Sequence, residues 1–195
     1  TIYYLMNNKK VIWITGASSG IGRSIALKFA KEGWIVAARR ENLLQKLHSE
    51  NENIHSFPLD VINDVKCKNV FNNILKQFEN IETCVFATGI HDPKSEKKFN
   101  IEKIRKIFEV NYFGIMNTIN SIYDYYNYKK SGQISFISSV AGYRGLPAAG
   151  AYCASKSALI SFTESLYFEM KKINVRVSII NPGFIKTPMT DHNEY

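Results

Sequence analysis

A β-branched apolar run, a glycine-rich turn and a helical pattern follow one another directly near the start of the chain. The run covers residues 10–15, the turn carries Gly16, Gly20 and Gly22, and the helical pattern extends to Glu32. Glycine permits a tight turn and lets backbone approach a ligand, while a helix N-terminus offers free N–H groups to phosphates. The unit therefore predicts a parallel α/β sheet with a nucleotide at this turn. The spacing G-x-x-x-G-x-G differs from the general G-x-G-x-x-G motif, and a glycine turn without a ligand is the alternative reading.

Strand and helix patterns alternate along the whole chain. The strand candidates are 11–15, 34–38, 54–57, 82–87, 133–138 and 174–180, and the helix candidates lie near 20–32, 41–50, 64–79, 98–129 and 150–172. This alternation predicts an α/β fold with a doubly wound parallel sheet, a three-layer α/β/α Rossmann arrangement with strand order 3-2-1-4-5-6. The 195 residues, 45% of them hydrophobic, suit one domain over 1–195.

A tyrosine, a lysine and a serine form the second informative pattern. Four tyrosines precede a lysine by four residues, but only Tyr152, with Lys156, also has a serine thirteen residues before it, Ser139. Residues four apart share one face of a helix, so Lys156 should lie beside Tyr152 and lower its pKa from about 10. An isolated pair is more often a core tyrosine and a solvated lysine. Together with Ser139, which follows the fifth strand candidate, the pair favours acid–base chemistry on an alcohol or carbonyl oxygen.

The end of the second strand candidate indicates which nucleotide binds. The strand 34–38 ends without Asp or Glu and is followed by Arg39 and Arg40. An acidic residue here would hold both ribose hydroxyls and repel a 2′-phosphate, whereas a guanidinium suits that phosphate. We therefore expect NADP(H), bound through Arg39, rather than NAD(H). The alternative is that both arginines only begin the helix 41–50, a role we assign to Arg40.

Taken together, these motifs resemble the short-chain dehydrogenase/reductase family from Lys10 to about Thr190. The resemblance implies an NAD(P)-dependent oxidoreductase that moves hydride between nicotinamide and a carbonyl or alcohol. Its catalytic residues carry over to Asn111, Ser139, Tyr152 and Lys156. In such enzymes the tyrosine is the general acid/base and the serine positions the substrate oxygen. The lysine binds the nicotinamide ribose, and the asparagine holds a water of the proton relay.

The same resemblance implies a set of cofactor contacts. They fall in the glycine turn, after the second, third and fourth strands, on the catalytic helix and in the segment after the sixth strand. The residues are Gly16, Ser18, Ser19, Gly20, Ile21, Gly22, Arg39, Asp60, Val61, Ala87, Gly89, Tyr152, Lys156, Pro182, Gly183, Ile185 and Thr187.

The chain departs from the family pattern at two places. It has Phe86, Ala87 and Thr88 before Gly89, where the family usually has Asn-Asn-Ala-Gly, so we expect only main-chain cofactor contacts from Ala87. The sequence ends at Tyr195, without the helical lid and seventh strand that family members usually have. A catalytically impaired or truncated nucleotide-binding or regulatory module is therefore the alternative function.

Composition argues against other classes of protein. The net charge is +8, but the helical lysines fall on separate helices and no basic motif is interleaved with aromatics, so we expect no nucleic-acid partner. No run reaches the roughly 18 apolar residues of a membrane helix, and the start lacks a signal-peptide pattern. We therefore expect no membrane insertion.

Cysteines, histidines and one helix complete the expectations. Three scattered cysteines indicate a reducing, cytoplasmic location, and Cys153 should face the core. The four histidines have no metal-ligand spacing and read as surface or loop residues, so no metal is expected. Apolar residues surround much of the helix candidate 98–129, which indicates burial on more than one side. Deeper burial against the protein's own sheet explains part of this pattern, and the family resemblance implies a homodimer or homotetramer that packs through this helix and the next. The substrate itself is not indicated, although residues 89–92 and 140–147 should wall its pocket.

Overall fold

The computed structural model describes residues 10–38, 51–91 and 98–190, which contain one parallel sheet. Its strands are β1 (Val11–Thr15), β2 (Ile35–Ala38), β3 (Ile54–Ser56), β4 (Thr83–Phe86), β5 (Gly132–Ile137) and β6 (Val175–Ile180). They lie in the order β3-β2-β1-β4-β5-β6, and every neighbouring pair is parallel. The predicted strand order is confirmed.

Helices connect the strands as the alternation predicts. They are α1 (Gly20–Lys31), α2 (Asp64–Phe78), α3 (Ile101–Phe108), α4 (Gly114–Lys129) and α5 (Gly150–Lys172). The helix expected at 41–50 lies outside the described residues. The single helix expected over 98–129 is divided, because a π-helical segment, Glu109–Phe113, separates α3 from α4. No helix in the described ranges is both long enough and apolar enough to cross a membrane.

Strand periodicity divides the core between the two faces of the sheet. In β1, Trp13 packs into a cluster with residues of α2, α4 and α5, whereas Ile12 and Ile14 join a second cluster with Ala26 and Ala30 of α1. These β1 side chains are at most 1% exposed. Because successive side chains point to opposite faces, one buried strand supplies both layers. The result is the three-layer arrangement, with α1 on one side and α2, α4 and α5 on the other.

The largest buried side chain illustrates what stabilises this arrangement. Trp13 lies 5.8 Å from Phe71 of α2 and 6.2 Å from Phe86 of β4, measured between ring centroids. It therefore holds a helix against two adjacent strands at the centre of the sheet. Truncation of such a residue costs about 3–5 kcal/mol of unfolding free energy. The packing fixes the carboxyl ends of β1 and β4, where the glycine turn and residues 87–91 begin.

Candidate cofactor and active site

The carboxyl ends of the strands border a cleft of about 570 Å³. That volume lies within the roughly 300–1,000 Å³ typical of ligand sites. Most of the predicted cofactor residues line it: Gly16, Ser18, Ser19, Gly20, Ile21, Gly22, Asp60, Val61, Ala87, Gly89, Tyr152, Lys156 and Thr187. Pro182, Gly183 and Ile185 are not among its lining residues, and Arg39 lies outside the described part of the chain. Residues that the sequence did not single out also line it: Ile62, Thr88, Ile90, Lys106, Val110, Ile137, Ser138, Pro188 and Met189.

The glycine turn is packed tightly against the turn after β4. Gly16 has a φ of +74°, and a Cβ there would lie 2.7 Å from the main chain of Ala87 and Thr88. A Cβ at Gly22 would lie 2.5 Å from the Gly16 carbonyl oxygen. A side chain is therefore excluded at both positions, because the main chain of another residue lies too close. This contact brings the two turns together at the edge of the cleft.

The N-terminus of α1 is left open at this edge. Its N-cap residue, Ser19, makes no side-chain capping hydrogen bond, and the first turn carries no acidic residue. By contrast, Asn63 caps α2 by accepting a hydrogen bond from the Lys66 N–H at 2.9 Å. Free N–H groups and the positive end of the helix dipole attract anions. The α1 terminus can therefore hold a phosphate group.

Two buried threonine hydroxyls lie beside this turn. The hydroxyl oxygens of Thr15 and Thr88 are buried and have no hydrogen-bond partner within the described ranges. Thr15 lies at the end of β1, next to Phe86 of β4. No amide side chain stands at 86 or 87 to satisfy these hydroxyls. The expectation that Ala87 offers only main-chain contacts follows from its methyl side chain.

Tyr152, Ser139 and Lys156 come together at the other end of the cleft. A side-chain hydrogen bond joins Tyr152 to Ser139. The Lys156 ammonium lies 5.8 Å from the centroid of the tyrosine ring and donates to the Ile137 carbonyl oxygen at 3.0 Å. Lys156 is only 4% exposed. The spacing on α5 and the position after β5 thus bring the three residues together, as the sequence predicts.

The acidity of the phenol differs from the expectation. Burial raises the pKa of Tyr152, the hydrogen bond from Ser139 lowers it in part, and Cys153 raises it further. The predicted lowering by Lys156 is therefore wrong for this form of the protein. The reason is that Lys156 is itself deeply buried and turned to the Ile137 carbonyl, and burial lowers its own pKa from 10.5 to about 8. At neutral pH the phenol is accordingly protonated, the form that donates a proton.

Asn111 lies in the π-helical segment and fastens a neighbouring loop. Its Oδ1 accepts from the Ile90 N–H at 2.7 Å, and its Nδ2 donates to the Ile90 carbonyl at 2.9 Å. The same Nδ2 donates to Ser155 Oγ at 3.2 Å. Its side chain is fully buried, yet a Cβ at Gly89 would lie 3.6 Å from its Oδ1 and 3.4 Å from Lys156 Nζ. The bare Gly89 backbone therefore keeps a space open between the amide and the ammonium.

His91 contacts the predicted catalytic tyrosine, a role that sequence reasoning did not assign to it. The sequence offers it only as a loop histidine, but its ring lies 4.4 Å from the Tyr152 ring, centroid to centroid, at an interplanar angle of 34°. The one available signal was its position directly after the Gly89 turn, in the loop expected to wall the substrate pocket. Cys153, in contrast, faces a small apolar cluster with Ala141 and Ala149, as expected.

A doubly wound sheet with a glycine turn at β1 and a Ser-Tyr-Lys group at β5 and α5 defines a class of nucleotide-dependent oxidoreductases. The chain belongs to the short-chain dehydrogenase family, whose sequence profile matches residues 10–194. Members of this family use NAD(P) and act on alcohol and carbonyl groups.

Similar sequences and solved structures agree with this assignment. The chain is 33% identical over 189 residues to a 3-oxoacyl-(acyl-carrier-protein) reductase, FabG, of Thermotoga maritima, covering 93% of this chain and 76% of that protein. It is 32% identical over 188 residues to an uncharacterised oxidoreductase of Myxococcus xanthus, covering 93% and 74%. A short-chain dehydrogenase from Streptomyces avermitilis superposes with a TM-score of 0.85 at 27% identity, covering 93% and 68%. The NADP-bound structure of ElxO superposes with a TM-score of 0.84 at 26% identity, covering 92% of this chain and 75% of that chain.

Proposed function

We propose that this protein is an NADP(H)-dependent oxidoreductase that interconverts a carbonyl and an alcohol, with Tyr152 as general acid/base. One observation carries the proposal: the Tyr152 phenol is hydrogen-bonded to Ser139 and adjoins buried Lys156, in the same cleft as the open N-terminus of α1. A proton donor and an anion site at two ends of one cleft suit a reaction that needs both a nucleotide and a proton.

The residues present fit a dinucleotide. The uncapped α1 terminus, with Gly16 and Gly22, would hold the pyrophosphate, and Asp60 with Val61 would border the adenine. Lys156 and Gly89, which both line the cleft, would border the nicotinamide ribose. When bound, the nicotinamide supplies or accepts the hydride, which is chemistry that no side chain provides.

Two considerations support NADP(H) over NAD(H). Arg39 and Arg40 follow β2, and the similar structure of ElxO contains NADP. A guanidinium at this position pairs with a 2′-phosphate in two parallel hydrogen bonds.

The side chains of this chain handle the proton. In the reducing direction, Tyr152 donates its proton to the oxygen of the substrate carbonyl as the carbon receives hydride. Ser139 donates its one hydroxyl proton in a hydrogen bond to this oxygen and so orients the oxygen beside the phenol. The Lys156 ammonium adjoins the ring of this phenol and is held there by its hydrogen bond to the Ile137 carbonyl oxygen. A proton from solvent then restores the phenol.

Two further properties belong to the proposal. Phe113 of the π-helical segment, Tyr123 of α4 and Phe168 of α5 are exposed, which supports packing between subunits of a homodimer or homotetramer. The three cysteines are free and buried, which supports a reducing, cytoplasmic location.

The test is a screen of aldehydes, ketones and quinones with the purified protein, monitored by NADPH absorbance and repeated with NADH. We expect reduction of at least one carbonyl class, with NADPH preferred. Tight NADPH binding without turnover of any compound would instead support the non-catalytic nucleotide-binding module.

A further inference from the structure

The phenol of Tyr152 is in contact with an imidazole. The ring of His91 lies 4.4 Å from the Tyr152 ring at 34°, a tilted and partly stacked arrangement. Aromatic pairs at such separations attract each other beyond the area they bury. The contact covers part of the phenol on the side of the loop 89–91, whereas Ser139 approaches its hydroxyl from the end of β5.

The backbone next to His91 is held in place from both sides. Asn111 accepts from the Ile90 N–H and donates to the Ile90 carbonyl, so one amide fixes both main-chain polar groups of the preceding residue. The π-helical segment that carries Asn111 is the kind of local irregularity that helices adopt at functional sites. The imidazole is therefore attached to a clamped stretch of chain.

A second connection fastens the backbone of the tyrosine to the same amide. Asn111 Nδ2 donates to Ser155 Oγ at 3.2 Å, and Ser155 Oγ donates to the Tyr152 carbonyl at 2.7 Å. Ser155 and Asn111 are both fully buried. The contacts thus form a closed circuit that runs from the Tyr152 ring to His91, through Ile90 and Asn111 to Ser155, and back to the Tyr152 carbonyl.

We infer that His91 is a positioning residue for the reaction, which holds the Tyr152 phenol at the angle required for proton transfer through the contact between the two rings. Rotation of a phenol about its own long axis leaves the hydroxyl in place, but rotation about the Cα–Cβ bond swings the hydroxyl away from Ser139. An aromatic ring against the phenol opposes that swing. The inference rests on the proposed role of Tyr152 as acid/base.

In this role the imidazole acts as a flat ring against the phenol, so the test compares side chains at 91 with and without a ring. Misplacement of a reacting group by about 1 Å can cost about 100-fold in rate. His91→Ala should therefore lower kcat by about 10- to 100-fold. It should leave the Kd for NADPH unchanged, because His91 is absent from the lining of the cleft. His91→Phe, which keeps a ring, should retain kcat within about threefold of the unmodified protein, since the aromatic pair survives.

His55 provides a matched control. Its ring packs on Phe78 with centroids 4.9 Å apart at 66°, so it is also a histidine in an aromatic pair, but it lies on β3 at the edge of the sheet. His55→Ala should leave kcat unchanged. A comparable fall in kcat for both alanine variants would mean a general loss of packing and would overturn the inference.

The decisive experiment measures kcat, KM and NADPH Kd for His91→Ala, His91→Phe, His91→Gln and Tyr152→Phe, with a carbonyl substrate found in the screen. Low kcat for the alanine and glutamine variants, with near-normal kcat for the phenylalanine variant, is the expected result. Unchanged kcat in His91→Ala, while Tyr152→Phe is inactive, would overturn the role of His91 alone. Loss of kcat in His91→Phe with rescue by glutamine would also overturn it, because hydrogen bonding would then be required. Full turnover in Tyr152→Phe would instead remove the proposed function.

Discussion

The two ends of the cleft differ in the groups that face a ligand. At the glycine turn these are main-chain groups, whereas at Tyr152 they are side chains, which other side chains hold in position. Gly16 and Gly22 allow this arrangement because they have no side chain, and any Cβ at these positions would overlap backbone. Tyr152 and Lys156 contribute charge and protons, and their properties depend on burial and on contacts from several elements. The first end thus depends on local chain geometry and the second on tertiary packing, so the two ends should respond differently to substitution.

The largest effect in this comparison is expected at the catalytic end. Lys156→Met should lower kcat at least about 100-fold, the scale at which acid–base assistance contributes. The matched control is Lys171→Met, because Lys171 lies 5.5 Å from the Tyr167 ring on the same helix but is exposed. Steady-state kinetics of both variants would check this. Equal kcat for Lys156→Met and the unmodified protein would contradict the account.

The same substitution should stabilise the fold near neutral pH. Burial lowers the pKa of Lys156 from 10.5 to about 8, so between these values the unfolded chain binds a proton that the folded protein does not. The free energy of unfolding therefore rises with pH through this window. Below pH 8 the buried ammonium lowers the free energy of unfolding by its full amount, up to about 3 kcal/mol. Urea unfolding should show Lys156→Met to be the more stable protein at pH 7, with the difference shrinking towards pH 10. A difference that stays constant with pH would argue against the buried ammonium.

A smaller loss is expected at the glycine end, and there it should affect binding. Gly16→Ala places a Cβ 2.7 Å from backbone at a φ of +74°, so the turn must shift away from Ala87 and Thr88. The displaced N–H groups should lose about 2 kcal/mol of hydrogen bonding to the phosphates, so NADPH should bind about 30-fold more weakly. Gly145→Ala is the control, since a Cβ at that position meets nothing within 4 Å. Fluorescence titration of NADPH measures both. An unchanged NADPH affinity in Gly16→Ala would contradict the proposed difference between the two ends of the cleft.

Removal of the Ser139 hydroxyl should cost about tenfold in kcat, the scale of one hydrogen bond to a charged group. Because this hydrogen bond lowers the pKa of Tyr152, its loss should raise that pKa further and move the rise of alcohol oxidation to higher pH. Ser157→Ala, which removes an exposed hydroxyl of α5 that donates to the Gly142 carbonyl oxygen, is the control. An unchanged pH profile of alcohol oxidation would mean that Ser139 does not affect the pKa of the Tyr152 phenol.

The smallest effect concerns the choice of nucleotide. Arg39→Ala should weaken NADPH several-fold to about tenfold and leave NADH nearly unchanged, since only NADPH carries the 2′-phosphate. Arg40→Ala should alter neither. Equal loss of both nucleotides in Arg39→Ala would remove the preference for NADP(H).

The sequence predicts the fold well because each strand carries its own signal. The six strand candidates match the observed strands to within one residue at either end, and strict alternation leaves few topologies. The break at Glu109–Phe113 could not be foreseen, because one wider turn barely disturbs helical periodicity. The glycine turn is equally predictable from the sequence, since the spacing of the glycines alone indicates where a side chain is excluded.

The chemistry at Tyr152 was less predictable. The spacing of Ser139, Tyr152 and Lys156 brings the residues together, but the pKa of the phenol depends on burial, which no local pattern reports. The contact between His91 and Tyr152 joins residues far apart in the chain, so it emerges only from the folded structure. Local geometry is thus encoded in short motifs, whereas the electrostatics of the site require the complete packing.

The central claim is tested most directly by Tyr152→Phe, which removes one oxygen and retains the ring. We predict that NADPH binds to this variant within a few-fold of its normal affinity while reduction of the substrate is lost. Turnover at the normal rate by the variant would contradict the account.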